Sequence, residues 1–336
     1  MIVREWDPRT APHSEVESLL ATLNAVLAAD RRADPPWQDI SLREYLAETM
    51  RNERRICWVA EDDAAGKLVG HANVLLLGDI GVVEVWVHPA ARRRGAGRSL
   101  LEALARRAHA EGFSSLGVEV ICGTPAVEFY EAHGFRCAYI ENRSVLDLST
   151  VDWMALGEMA RGIAAGYRVE FYPGGPPAEL IEPYARAKAE VRDDDGGDLD
   201  LRPSSYDPHR LRESLECLHR RGMKPYSVLA IHETTGEVAG LTEVVVPAQH
   251  PARADQYDTI VAQRHRGYGI DRAIKARMLS ELRRAEPKLE EVQTWNAQSN
   301  ESMIKVNAEL GFLPDRDWLE YGRDVAELVY ALDGHR

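Results

Sequence analysis

The chain reads the same way twice. When Gly95 is set on Gly269, Glu84 falls on Asp258, Val87 on Val261 and Leu104 on Met278. Further on, Gly134-Phe135 meets Gly311-Phe312 after a shift of a few residues. Around these anchors both halves alternate helix-like and strand-like periodicity. In the first half "SEVESLLATLNAVLAA" is an amphipathic helix, and "ICWVAED" and "LVGHANVLLL" are strands about the turn "DAAGK". Then come the strand "GVVEVWV", the helix "GRSLLEALARRAHAEG", the strand "LGVEVIC", the helix "PAVEFYEAHGF" and a last strand, "CAYIENRSVLDL". The second half begins with the helices "ELIEPYARAKAEV" and "PHRLRESLECLHRRG" and the strands "YSVLAIHET", "EVAGLTEVVV" and "YDTIVAQ". It continues with the helix "DRAIKARMLSELRRAE", the strand "EVQTWNA", the helix "NESMIKVNAELGF" and a closing strand near "ELVYAL". Solenoid repeats have periods of about 20–50 residues, so a repeat this long means two like domains. The expected division is 1–150, a helical connector over 151–166, and 167–336.

Hydrophobic residues make up 45% of the chain, enough for each half to bury a core, and the net charge is −13. That charge argues against a nucleic-acid partner. It suits a soluble protein and mildly favours cationic or amine partners. Cys57, Cys122, Cys137 and Cys217 form no C-x-x-C pair and match no zinc spacing, so no metal is expected. The N-terminus lacks the apolar core of a signal peptide, and stretches such as "ANVLLL" are too short to span a bilayer. The expectation is a cytoplasmic protein with no membrane partner.

The segment "HPAARRRGAGRSLL" places three arginines and two glycines between a strand and a helix. A helix start exposes unpaired N–H groups and the positive end of the helix dipole. Glycines let a diphosphate approach that backbone. Arginines add charge-assisted hydrogen bonds. Arg92, Arg93, Arg94, Gly95, Ala96, Gly97 and Arg98 are therefore the candidate cofactor-binding residues. A Walker A loop is excluded, because no Lys-Ser or Lys-Thr follows the glycines. The dinucleotide fingerprint lacks its third glycine in both "GAGRSL" and "GYGIDR".

Both halves resemble the GNAT acyl-CoA N-acyltransferases. The family signature Arg/Gln-x-x-Gly-x-Gly/Ala after the fourth strand reads here Arg92-Arg93-Arg94-Gly95-Ala96-Gly97, and "EFYEAHGF", Glu128 to Phe135, is similar to the family's last helix. The resemblance covers nearly the whole chain as a tandem pair, an arrangement also found in mycothiol synthase-like enzymes. It implies an α/β (α+β) fold of two GNAT-like domains, each a mixed, mostly antiparallel sheet flanked by helices. It further implies acetyl-CoA as cosubstrate and a small-molecule or peptide amine as acceptor. By this likeness Tyr130 is the acid for the departing thiolate. Glu84 is the base, with His88 as runner-up. A backbone N–H at Trp86 or Val87 serves the oxyanion. Phe129 is the better core residue of the pair 129–130. "DRRADPPWQD" looks like an acceptor loop, with Trp37 as a pocket floor and Asp34 or Asp39 near the amine, unless these residues serve as helix caps. A fused pair can stand as a pseudo-dimeric monomer, or form a homodimer.

The second half departs from the pattern. In the register set by Glu84 and Asp258 its loop reads Arg266-Gly267-Tyr268-Gly269-Ile270-Asp271, with a carboxylate in place of the last Gly/Ala. Shifting the register to Arg264 restores the motif but spoils the strand alignment. Asn307 stands where Tyr130 does, while Asn296 and Asn300 are amides of a kind that hydrogen-bond a pantetheine arm; Gly123 takes the Asn300 place in the first half. The working site is therefore expected in the first half, although the mycothiol synthase-like precedent uses the second. The alternative is an acyl-CoA-binding module without turnover. The acidic run Arg192–Asp200 is read as a solvated loop or a guide for a cationic acceptor.

Overall fold

The computed structural model describes residues 1–32, 34–51, 53–62, 66–190 and 207–334. The acidic run Arg192–Asp200 and residues 63–65 of the expected turn "DAAGK" lie outside them. In chain order the elements are β1 (Ile2–Trp6), α1 (His13–Asp30), α2 (Asp39–Ala47), β2 (Glu53–Asp62), β3 (Lys67–Leu77), β4 (Ile80–Val87), α3 (Ala96–Ala110), β5 (Ser115–Ile121), α4 (Pro125–Ala132) and β6 (Arg136–Asp147). There follow α5 (Trp153–Arg161), β7 (Tyr167–Pro173), α6 (Ile181–Ala189), α7 (Pro208–Arg220), β8 (Met223–His232), β9 (Val238–Pro247), β10 (Arg253–Val261), α8 (Ile270–Ala285), β11 (Glu291–Ala297), α9 (Glu301–Glu309), β12 (Leu313–Asp324) and α10 (Val325–Asp333).

The chain forms two compact units. The first is Met1–Tyr139 completed by the chain from Leu319; among the described residues the second is Ile140–Trp318. Each unit therefore ends on a strand and helix taken from the other repeat. The last part of β12 and α10 serve the first unit, and most of β6 with α5 serves the second. This differs from a division at residues 150 and 166. The physical reason is that β6 and β12 are long strands, of 12 residues each, that run through the unit boundary.

In the first unit β1 to β4 form antiparallel pairs. In the second, β7 to β10 do the same, and β11 pairs antiparallel with Glu141–Asp147 of β6. The parallel pairs are short. β4 and β5 pair only from Ile80–Val82 to Ser115–Gly117, and β10 and β11 only from Arg253–Gln256 to Glu291–Thr294. Beyond those residues each pair of strands parts, leaving a cleft at its C-terminal end.

The duplication is legible in the register. Ala60 opposes Gly70 and Gly70 opposes Val87; Ala230 opposes Gly240 and Gly240 opposes Val261. Both glycines are needed for packing. A Cβ on Gly70 would sit 3.0 Å from Leu100, and one on Gly240 2.6 Å from Ile270, so each lets a helix close on the sheet. One face of the first sheet buries Trp6, Leu19, Leu23, Leu42, Cys57 and Val59. The second unit buries Val228, Val244, Ile274, Met278 and Phe312 in one cluster, and Tyr184, Leu229 and Leu241 in another.

"ELVYAL", expected as a strand, is instead part of α10. Asp324 accepts the Glu327 N–H as an N-cap, and Val325, Leu328 and Leu332 are buried at helical spacing. Strand β1, helix α2 and strand β7 were not anticipated. No described helix is long and apolar enough to cross a membrane.

Candidate active site

In β4 alternate residues turn their N–H groups to opposite neighbours. The His88 N–H bonds Val69 O at 2.9 Å, so Trp86 and Glu84 point theirs at β3 as well. Val85 and Val87 point theirs the other way, toward β5, where the strands have already parted. Of the two expected oxyanion donors, Val87 thus faces the cleft; the Trp86 N–H is directed into the β3 ladder. Val85, which the sequence reading did not single out, faces the cleft too.

Tyr130 stands at this cleft. It is 2% exposed, and its hydroxyl makes no hydrogen bond. Burial, then the charge of Glu84, raise its pKa above the ordinary phenol value, while the nearby Val85 N–H works the other way. An orphaned buried hydroxyl calls for an explanation. The packing reverses the expectation for the 129–130 pair. Tyr130 is the buried residue, edge-on to Phe135 at 5.1 Å, whereas Phe129 is half-buried between His133 and Gly97.

Glu84 shares a face of β4 with Trp86. Asn73, directly across on β3, donates to its carboxylate at 2.6 Å and is 2% exposed. His71 opposes Trp86; it is 1% exposed, and burial with the charge of Arg55 holds its pKa down to about 3. The acceptor-loop residues lie over this face. The Asn24 side chain bonds both the N–H and the C=O of Trp37, at 2.8 and 3.1 Å, and fixes the loop there. Trp37 packs on Tyr45 with ring centroids 5.3 Å apart. Asp34 and Asp39 are already engaged, by Arg31 at 2.5 Å and by Arg43 at 2.7 Å, so neither is left to attract an amine.

The basic turn divides its labour. Arg92 does not face an anion: it grips Asp30 with both terminal nitrogens, at 3.0 and 2.5 Å, and donates its Nε to Val87 O. Arg98 donates to Leu332 O of α10. Arg93 and Arg94 are exposed and have no hydrogen bond or ion pair among the described residues. Arg93 has φ +60° and Gly95 φ +89°. Alternating such residues with ordinary ones turns successive N–H groups inward, as an anion-binding nest does. A non-glycine residue in this region costs about 1–2 kcal/mol. Gly95 caps α3 without a side chain, so no cap side chain occupies the first-turn N–H groups of Ala96 and Gly97. Gly97 has a second reason to be glycine, since a Cβ there would meet the Phe129 ring at 3.0 Å.

The second unit has the same loop shape, with φ +84° at Gly267 and +71° at Gly269. This supports the register that matches Arg92 with Arg266; Arg264 is paired with Glu190 and Glu237 instead. The second loop is covered, however. The Ala164 N–H bonds Tyr268 O, and Gly162 O lies 3.3 Å from where a Cβ of Gly269 would be. Asp271 sits in the first turn of α8. The amine side is filled as well. Asp258 and Glu243, the counterparts of Glu84 and Asn73, both hold the ammonium of Lys188, at 2.8 and 2.7 Å. Asn307 donates to Asn296 at 2.6 Å while its own side-chain oxygen is buried without a partner, and Asn300 caps α9.

The Acetyltransferase (GNAT) family profile matches residues 22–135. That match lies in the first repeat, and the fold of the whole chain is that of two GNAT-like domains in tandem. A tandem GNAT protein from the clavulanic acid biosynthesis pathway, solved without AcCoA, superimposes with a TM-score of 0.81 at 25% identity, over 96% of this chain and 98% of that one. A GCN5-related N-acetyltransferase from Sphaerobacter thermophilus shares the fold, with a TM-score of 0.69 at 16% identity over 96% and 95% of the two chains. The mycothiol acetyltransferase of Stackebrandtia nassauensis is 34% identical over 136 residues, 40% of this chain and 43% of that relative, so the match spans under half of its length.

Proposed function

We propose that the first unit moves the acetyl group of acetyl-CoA onto a primary amine of a small molecule or peptide, with both bound at once. The observation that carries this reading is the buried, unbonded hydroxyl of Tyr130 beside the N–H of Val85, where β4 and β5 part. The thioester supplies an electrophilic acyl carbon and a thiolate leaving group. The inward N–H groups of the turn and of the first turn of α3, with Arg93 and Arg94, suit its diphosphate.

Three groups of the chain then act. Glu84 takes a proton from the neutral amine, directly or through water, as the C–N bond forms. The N–H groups of Val85 and Val87 donate to the carbonyl oxygen as it gains charge. Tyr130 gives its proton to the sulfur as the C–S bond breaks. A raised pKa suits that role, because the phenol is still protonated when the thiolate appears. Solvent returns the proton of Glu84 to Tyr130 and closes the cycle. The second unit, with its loop covered and its carboxylates holding Lys188, plays a structural part.

Two variants separate the units. Tyr130→Phe is expected to lower kcat by roughly 100-fold, the scale of one positioned acid, with acetyl-CoA affinity by calorimetry unchanged. Asn307→Ala is expected to leave thiol release unaffected. Loss of turnover in Asn307→Ala alone would move the chemistry to the second unit. Acetyl-CoA binding with no transfer to any amine of a broad panel would make the protein a binding module.

A further inference from the structure

The face that carries Glu84 also carries a cation. Cys57 opposes Asn73 and Asn73 opposes Glu84, so Arg55, two residues before Cys57 on β2, shares their side of the sheet. Its Nη1 reaches Asn73 Oδ1 only at 3.4 Å, and its Nε is buried with no partner. The guanidinium lies 4.2 Å from the centroid of the Tyr45 ring. Burial opposes its charge, but Tyr45 and Glu84 outweigh that and raise its pKa above the ordinary value. A guanidinium has five donors in a fixed fork; Asn73 and the Tyr45 side chain engage this one, and its Nε donor is left over.

Asn73 stands between the two charges. Its oxygen takes the long contact from Arg55 and its nitrogen serves Glu84. No direct ion pair joins Arg55 to Glu84 among the described residues, so the carboxylate and the cation are held apart by the width of one amide. The aromatic side of this space is fixed in place: Trp37 is clamped by Asn24, Tyr45 lies under Arg55, and Trp86 follows Glu84 on the same face of β4.

The second unit gives an internal comparison. The matching register puts Pro225 at the place of Arg55 and Glu243 at the place of Asn73. There an amine, that of Lys188, is held by two carboxylates and no cation. The first unit replaces one of those carboxylates with an amide and adds a guanidinium. That exchange fits a ligand whose amine is accompanied by a negative group.

We infer that the acceptor of the first unit is an amine that also bears a carboxylate a few atoms from the nitrogen. The amine goes to Glu84 and the carboxylate to Arg55. This inference rests on the transfer reading above and narrows its substrate class.

The test compares amino acids with their own amides: glycine, β-alanine and 4-aminobutyrate against glycinamide, β-alaninamide and 4-aminobutanamide. Thiol release from acetyl-CoA gives kcat and KM, and calorimetry on the protein with CoA gives binding. A site built around a buried polar group rejects the ligand that leaves it unpaired, so at least one acid should exceed its amide by roughly 100-fold in kcat/KM. Arg55→Gln should bring that ratio to within a few-fold of one, mainly through KM for the acid. Arg55→Lys should recover part of it, since a lysine keeps the charge but not the fork. Equal use of acids and amides by the wild-type protein would overturn the inference and leave the transfer reading standing. So would an equal loss on both in an Arg55→Gln protein that melts like the wild type. Acids that bind through Arg55 without being acetylated would keep the anion site and defeat the transfer reading. If neither acids nor amides bind, the inference fails.

Discussion

At the scale of single residues, the two repeats differ by a pair of reversed choices. His71 matches Leu241 and Lys275 matches Leu101, so each unit buries one titratable side chain where its twin has leucine. Lys275 is 1% exposed and lies 5.5 Å from the centre of the Phe312 ring. Burial, partly offset by Asp271, pulls its pKa from 10.5 down to about 7. The sign of its effect follows. Between pH 7 and 10.5 the unfolded chain holds a proton at this lysine that the folded chain has lost, so stability rises with pH through that window. Below about 7 the cost of the buried charge is felt in full. Lys275→Leu is therefore expected to stabilise the protein by about 1–4 kcal/mol near pH 6.5, the range found when buried charges give way to apolar residues. The gain should shrink toward pH 10. Thermal unfolding at the two pH values checks this, and an equal gain at both would rule out Lys275 as the titrating group. Such residues show the limit of sequence reading. "DRAIKARMLSEL" reads as a solvated lysine on an amphipathic helix, and only the packing of α8 under Phe312 makes it buried. Arg92 and Arg98 misled in the same way. The motif marks a basic turn, but which arginine faces the ligand depends on Asp30 and Leu332, residues 62 and 234 positions away.

At the scale of elements, the periodicity that defines strands and helices held wherever an apolar pattern was long. It failed on α10, where nine residues with apolar positions at Val325, Leu328 and Leu332 resemble a short strand until the Asp324 cap is recognised. It also passed over α2, because a nine-residue helix with two buried leucines carries too little pattern. That the open N–H groups at the cleft between β4 and β5 belong to Val85 and Val87 follows only from the register of β3. Helix α10 is held to α3 by Arg98 at Leu332 O and by Arg106 at Asp333. Arg98→Ala removes a charge-assisted bond to the negative end of a helix, with an expected cost of about 1–2 kcal/mol. Hydrogen exchange should show faster opening of α10 amides with no change in α8. Equal loosening of both helices would mean that Arg98 acts on the whole protein rather than on this contact.

At the scale of the whole molecule, the repeat was plain in the sequence but the exchange of strand-and-helix pairs was not. Both β6–α5 and β12–α10 follow the last strand of a repeat, and nothing in their composition says which sheet they complete. The compact units imply that a cut at the repeat boundary divides neither of them cleanly. A fragment of residues 1–150 lacks the end of β12 and all of α10, so α3 loses its cover and the core loses Leu328 and Leu332. That fragment is expected to be unfolded or aggregated. A permuted chain that joins residues 319–334 through a flexible linker to residues 1–139 is expected to melt cooperatively. Circular dichroism and thermal melting of the fragment and the permuted chain decide the matter, and cooperative melting of the simple fragment would contradict the exchange.

The exchange also sets a timetable. During synthesis the second unit has all its described strands and helices once Trp318 has left the ribosome, whereas the first unit, made before it, still waits for the residues from Leu319 onward. Domains ordinarily finish in the order in which they are made. Here the unit that carries Tyr130 and Glu84 is the first to be translated and the last to close, so its cleft takes final form only after its twin is already complete.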